Sequence, residues 1–424
     1  MRAERVFAYG AAAGLLGDLL LGDPRRGHPV AAFGRAAGAV ERVLWRDHRG
    51  RGALHTLVCA GGAVALGAVA ARAVRSRPVA SVALTSAATW AVVGGTSLAR
   101  EARAIGRALE AGEVAAARER LPHLCGRDPR ALDADGIARA VVESVAENTS
   151  DAVVGALVWG AVAGVPGLLG FRAVNTLDAM IGHRSPRYRR YGWAAARLDD
   201  LAGWPGARLT AVLATVGGPD PRGAVRAWRA DASRHPSPNA GPVEAAFAGA
   251  LGVRLGGTLS YGGRVEHRPV LNEAAGRPVG AADIERAVRL SRRVGLLALG
   301  VCAGARLLVG SARPGTEGRP PAGAGRAQGQ LGARAAKAGL ALAAGPVTAT
   351  HPAQARPLAG VLRTQARPLT GTLPTRAPLL GRAFTARARL PAGFLAARSR
   401  PLAGALLARS RPLAGVLRGR GWVA

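Results

Sequence analysis

Long uncharged runs alternate along this chain with short, densely polar islands. Two runs come early, ALHTLVCAGGAVALGAVAA (53–71) and VASVALTSAATWAVVGGTSLA (79–99), joined by the basic link RAVRSRP. A helix rises about 1.5 Å per residue, so each run reaches roughly 28–32 Å, the thickness of bilayer hydrocarbon, and the short link predicts a helical hairpin. A third run, Ala152–Gly170, has nineteen uncharged residues and predicts another crossing. Weaker candidates are 201–218, which carries Arg208, and 294–310, which carries Arg306. The opening MRAERVFAYGAAAGLLGDLLLGDP is signal-like but is interrupted by Asp18, and it predicts a retained short span or re-entrant segment. Between residues 100 and 140, apolar side chains recur three and four apart among Arg and Glu, the pattern of an amphipathic helix pair outside the hydrocarbon. The expected fold is therefore all-α, a polytopic integral membrane protein with about four to six transmembrane helices. Basic residues flank both ends of 53–71, so the pattern gives no orientation.

Near Gly310 the texture changes. ARPLAGVLR at 355–363 returns in degenerate form as ARSRPLAG at 397–404 and 408–415, with Pro and Gly breaking any helix too often for a packed core. This predicts a membrane domain over 1–310 and a low-complexity, disordered basic tail over 311–424. Charge supports the division. The chain carries 58 Lys and Arg against 26 Asp and Glu, and residues 315–424 hold 17 of the bases with one acid, Glu317. Half of the net +32 thus belongs to the tail, and the other half mostly flanks apolar runs, where arginines anchor helices at lipid headgroups. The expected partner of this charge is membrane lipid, not nucleic acid. Cys59, Cys125 and Cys302 are far apart and suggest neither a disulfide framework nor a zinc knuckle.

The islands carry the chemistry. Before the third run, Glu143, Glu147 and Asp151 recur every four residues and would share one helix face, with Asn148 beside them; after it come Arg172, Asn175 and Asp178. GHRSPRYRRYGWAAARLDDLAGW then supplies His183, Arg184, Tyr188, Tyr191, Trp193, Arg197, Asp199 and Asp200. Charges this dense beside hydrocarbon are expensive, which favours a site. Two further islands follow the same pattern. One is GDLLLGDPRRGHPVAAFGR (17–35), with Asp18, Asp23, Arg25, Arg26 and His28; the other is HPSPNAGPVEAAFAGALGVRLGGTLSYGG (235–263), with His235, Asn239, Glu244, Arg254 and Tyr261. There is no GxxxxGK[ST], GxGxxG after a strand, HExxH or GxSxG. A transporter would also set acids at broken apolar helices, but the islands are mutually dissimilar, without the internal repeat it would show. A membrane scaffold for soluble enzymes would not need buried acids.

Together, GDLLLGDP with HPV, ESVAENTSD, FRAVNTLDAMIGHRSPRYRRYGWAAARLDDLAGWPGARLTA and SPNAGPVEAAFAGALGVRLGG resemble, in order and over about residues 5–310, the CobD/CbiB family of adenosylcobinamide-phosphate synthases. The resemblance implies a multi-pass cell-membrane protein of cobalamin biosynthesis. Such a protein joins adenosylcobyric acid, the corrinoid substrate, to (R)-1-amino-2-propanol or its O-phosphate, with ATP and Mg2+ as cofactors and other pathway enzymes as partners. On that reading Glu147 and Asp151 hold the amine or Mg2+, and Asp178, Asp199 and Asp200 serve as metal ligand or base, with Asp151 and Asp178 the candidate Mg2+ positions. Arg172, Arg184 and Arg197 take the phosphate or carboxylate, and Asn148, Asn175, His183, Asn239, Asp23 and His28 complete the expected substrate contacts.

Overall fold

The computed structural model describes residues 2–24, 27–261 and 264–311. The disordered tail expected from the sequence, like Arg25 and Arg26, lies outside the described residues. Within them the chain forms α1 (Ala3–Leu21), α2 (Pro29–Leu44), α3 (Arg49–Val74), α4 (Pro78–Val92), α5 (Gly95–Glu110), α6 (Val114–Arg120), α7 (Ala134–Asn148), α8 (Gly155–Ala163), α9 (Val165–Ile181), α10 (Trp193–Gly217), α11 (Pro221–Asp231), α12 (Ala240–Leu251) and α13 (Ala281–Ser311). Among the described residues, three stretches are long and apolar enough to cross a membrane: α3, the α4–α5 stretch Pro78–Glu110, and α13.

The third expected crossing is not a single helix. Its nineteen-residue run breaks at Gly164, whose φ of +67° suits glycine, and Pro166 opens the next helix. The result is a tight helical pair, α8 and α9. A Cβ on Gly167 would stand 2.0 Å from the Trp159 carbonyl oxygen, so only glycine lets the two arms approach this closely. The end of α8 leaves carbonyls without intrahelical donors, and Arg306 of α13 donates to those of Ala161 and Val162. That accounts for an arginine in the otherwise apolar second half of this helix, where its charge would be costly without acceptors.

Small residues set the remaining helix approaches. Gly10 and Gly14 of α1 face Thr85 and Thr89 of α4, with built Cβ distances of 2.5 Å, and Gly67 of α3 rests on Pro166. The Thr85 and Thr89 hydroxyls are satisfied within their own helix by the carbonyls of Ser81 and Thr85. The all-helical expectation needs one correction, since β1 (Leu255–Tyr261) pairs antiparallel with β2 (Arg264–Leu271). The bulge between Gly256 and Gly257, both at φ +83°, bends the first strand over α7.

Candidate active site

Because α8 runs away from Asp151 and α9 runs back, the two polar islands that flank the third run are brought together at one end of the pair. Glu147 and Asp178 both act electrostatically on Asp151. Asp151 sits in a π-helical turn, Thr149–Val154, between α7 and α8. Such turns widen a helix by one residue and recur at functional sites. Here the turn is fixed by Thr149, whose hydroxyl donates to the Val145 carbonyl and meets the Ser291 hydroxyl of α13, both at 2.6 Å. It is further fixed by Gly155, on which Gly206 packs directly.

On α9, Arg172, Asn175 and Asp178 fall on one face. Asn175 supplies a hydrogen bond to Asp151, and its Nδ2 also donates to Asp199 Oδ1 at 3.4 Å, so one amide ties two expected acids together. Asp151 is half-buried and lies outside the three candidate membrane-spanning stretches. Burial, then the neighbouring Glu147 and Asp178 carboxylates, push its carboxyl up to about 8, against the opposing pull of Arg172 and Asn175. Arg172 is buried, and burial lowers its guanidinium to about 10 although Asp23 and Asp151 both favour its charge. His28 Nδ1 accepts from the Val30 amide at 3.1 Å, capping α2, which leaves Nε2 as the protonated nitrogen facing Asp23 at 3.3 Å. Opposite charges therefore alternate along Asp23, Arg172 and Asp151 into the site, with His28 at the outer end.

A second group continues from the same place. Glu147 is exposed, and it acts on both Asp151 and the buried Glu244 of α12. Burial first, then Glu143 and Glu147, raise the Glu244 carboxyl well above its ordinary range. Burial pulls His235, whose Nε2 stands 3.8 Å from Glu244 Oε2, below its own. Glu143 accepts from Arg127 and, at 2.6 Å, from the amide of Gly256 in the bulge. The Arg127–Glu143 pair is almost wholly buried, at 5% and 4% side-chain exposure. Sequence reading missed Arg127 and Arg268, both of which act on Glu244, because both lie outside the islands at 17–35, 143–204 and 235–263.

The other expected residues take varied places. Asn148 turns its amide nitrogen back onto the Ser144 carbonyl and hydroxyl, at 2.9 and 3.2 Å. Asn239 is buried, donates to the Asp200 carbonyl at 2.9 Å and accepts from Arg208 at 3.0 Å. Arg197 is exposed beside Asp200, 3.8 Å away. His183 meets Tyr188 edge-on at 4.9 Å, and Arg184 is exposed on the same segment between α9 and α10. Glu143, Glu147 and Asp151 do not continue as one regular face, since the π-helical turn displaces Asp151 while Glu143 is engaged with Arg127 and the hairpin. Among the described residues, no group of three or more His, Cys, Asp or Glu stands close enough to hold a metal ion. The carboxylates present fit Mg2+ that arrives on substrate phosphates, which needs only one or two protein oxygens, and not an ion held by the protein alone.

A family model described as CobD/Cbib protein matches residues 11–291. The cobalamin biosynthesis protein CobD of Mycobacterium tuberculosis strain H37Rv is 56% identical over 291 residues, covering 68% of this chain and 92% of that protein. The protein of the same name from Chromobacterium violaceum is 43% identical over 308 residues, 70% of this chain and 96% of its own. That of Rhizobium meliloti strain 1021 is 43% identical over 292 residues, 65% and 89% of the two chains. No solved structure matches. On a match that takes in every island lining the site, the chain belongs to the CobD/Cbib protein family.

Proposed function

We propose that this protein acts in cobalamin biosynthesis as an amide-forming ligase, held in the cell membrane by several crossings. It would join the carboxylate of adenosylcobyric acid to the amine of (R)-1-amino-2-propanol or its O-phosphate. Family membership supports the pathway. The observation that carries the chemistry is the Asp151 carboxyl, poised near neutrality among Glu147, Asp178 and Arg172. Amide formation needs an amine that has lost its extra proton, and a base works best when its own pKa lies near the working pH. In this reading the exposed Glu147 attracts the ammonium and Asp151 takes its proton, freeing the nitrogen lone pair for the acyl carbon. Asn175 orients Asp151, with Asp199 and Asp200 behind it. Arg172, with Arg184 and Arg197 on the outer segment, takes the phosphate or carboxylate. ATP with Mg2+ supplies, when bound, the activation that turns a carboxylate oxygen into a leaving group, and Asp178 would share the ion with its phosphates.

Complementation tests the reading. A corrinoid auxotroph blocked at this step is expected to grow on cobyric acid once given the gene, and equally well when the gene stops after Ser311, because the family match ends at residue 291. Growth that still requires cobinamide with the gene present would refute the synthase assignment, and failure of the shortened gene alone would move the domain boundary.

The charges around Asp151 also give a pH prediction. Glu147 is the largest charge raising the Asp151 carboxyl, so Glu147→Gln is expected to move the acidic limb of kcat/KM to lower pH. Whatever happens to the height of the profile, an unmoved limb would mean that Asp151 is not the group titrating.

A further inference from the structure

A cavity of about 410 Å3 lies between α2, α3, α4 and α9, with Phe33, Val40, Val58, Leu66, Val92 and Leu169 among its walls. Its size is that of a small-molecule site. Its chemistry is not that of a site for a corrinoid or an amino alcohol, because Arg172 belongs to the acid cluster of the candidate site and the few other polar groups in the walls are already engaged. The Thr176 hydroxyl donates to the Arg172 carbonyl at 2.6 Å, and the Arg172 charge is shared with Asp23 and Asp151. The Ala37 carbonyl accepts from His55 Nε2 at 3.0 Å, and Cys59 offers only a thiol, a weak donor. A ligand rich in amides and carboxylates would lose its hydration here and gain nothing for it. A stretch of hydrocarbon would lose nothing.

The cavity also adjoins a source of hydrocarbon. Two of its walls, α3 and α4, belong to stretches long and apolar enough to cross a membrane. Val58 and Leu66 line the cavity and are also largely exposed on the outer surface, so its mouth is continuous with the surface that faces lipid. Gly62 lines it too, and a Cβ built there meets nothing within 4 Å, which marks open space at the mouth. We propose that the cavity holds an acyl chain of a bilayer phospholipid, packed against the turn of α9 that carries Arg172. The proposal rests on the membrane localisation argued above and not on the reaction.

The test uses the full chain in vesicles of phosphatidylcholine and phosphatidylglycerol that carry a diazirine near the end of one acyl chain. After irradiation, crosslinked residues are mapped by mass spectrometry. Leu57 and Val69, on the exposed face of α3, report insertion. Crosslinks at Phe33, Ala37 or Ala173 report the cavity, since Ala37 and Ala173 are only 1% and 3% exposed. In Gly62→Phe the cavity crosslinks are expected to fall about tenfold, because the phenyl ring occupies the space a chain would need, while the outer ones persist. Should that variant not insert, Ala63→Phe fills the same cavity from the neighbouring position. Crosslinks confined to Leu57 and Val69, or cavity crosslinks unchanged in the filled variant, would overturn the proposal. Absence of the outer crosslinks in the unsubstituted protein would instead refute the membrane localisation.

Discussion

Asp151→Asn and Asp178→Asn are each expected to lower the rate of amide formation by about a hundred- to ten-thousand-fold, the range that positioned proton transfer contributes. The asparagine keeps the size of the side chain and can still meet Asn175, so insertion and yield are expected to stay near wild type. What it loses is the ability to take a proton or to hold a cation. The measurement is product formed per detergent-solubilised molecule under saturating substrates, with KM determined separately. Near-normal turnover in both variants would shift the chemistry to Asp199 and Asp200, which the same Asn175 amide and the Asn239 contact keep close by.

Arg172→Met is expected to cost both activity and stability. The methionine preserves length and apolar bulk but leaves Asp23 without its buried cation, and unpairing a buried charge typically costs about 3–5 kcal/mol. The pH dependence follows from Asp151. Its folded carboxyl is raised, so its ionisation draws on folding stability as pH climbs from the ordinary carboxylate range, and in the wild type this loss levels off near pH 8. Arg172 holds that value down. Without it the carboxyl rises further and the loss continues above pH 8, so the gap between variant and wild type should widen on the alkaline side. A thermal melting series from pH 6 to about pH 9.5 in one detergent reads this directly. A constant gap would mean that Arg172 acts on Asp23 alone.

Helices α3 and α4 were legible because hydropathy over about twenty residues is the dominant signal, and the island motifs pointed to Asp151, Arg172 and Asp178, which the fold brings together. The third run was misread for the same reason. A window that counts only charge and apolarity passes over Gly164 and Pro166, yet these two residues decide whether Asp151 and Asp178 stand roughly 40 Å apart or side by side. Spacing by fours also failed past Asn148, since a π-helical turn depends on partners such as Ser291 and Gly206 that no local pattern contains. Arg127 and Arg268 were invisible for a related reason, because their meaning comes from Glu143 and Glu244, acids in other segments.

The contacts of α13 also bear on how the protein is made. The hydroxyl that steadies the turn around Asp151 belongs to Ser291, and the donor that closes α8 belongs to Arg306, 142 and 145 residues further along. A chain emerging from the ribosome will have threaded its first long helices and synthesised every acid of the site before either partner exists. Until the last helix arrives, the carbonyls at the end of α8 must find water or remain unmet. A nascent protein arrested before Ser291 should therefore carry the whole set of reactive groups without the arrangement that makes them useful, and maturation of the site becomes a late event, timed by the insertion of one helix.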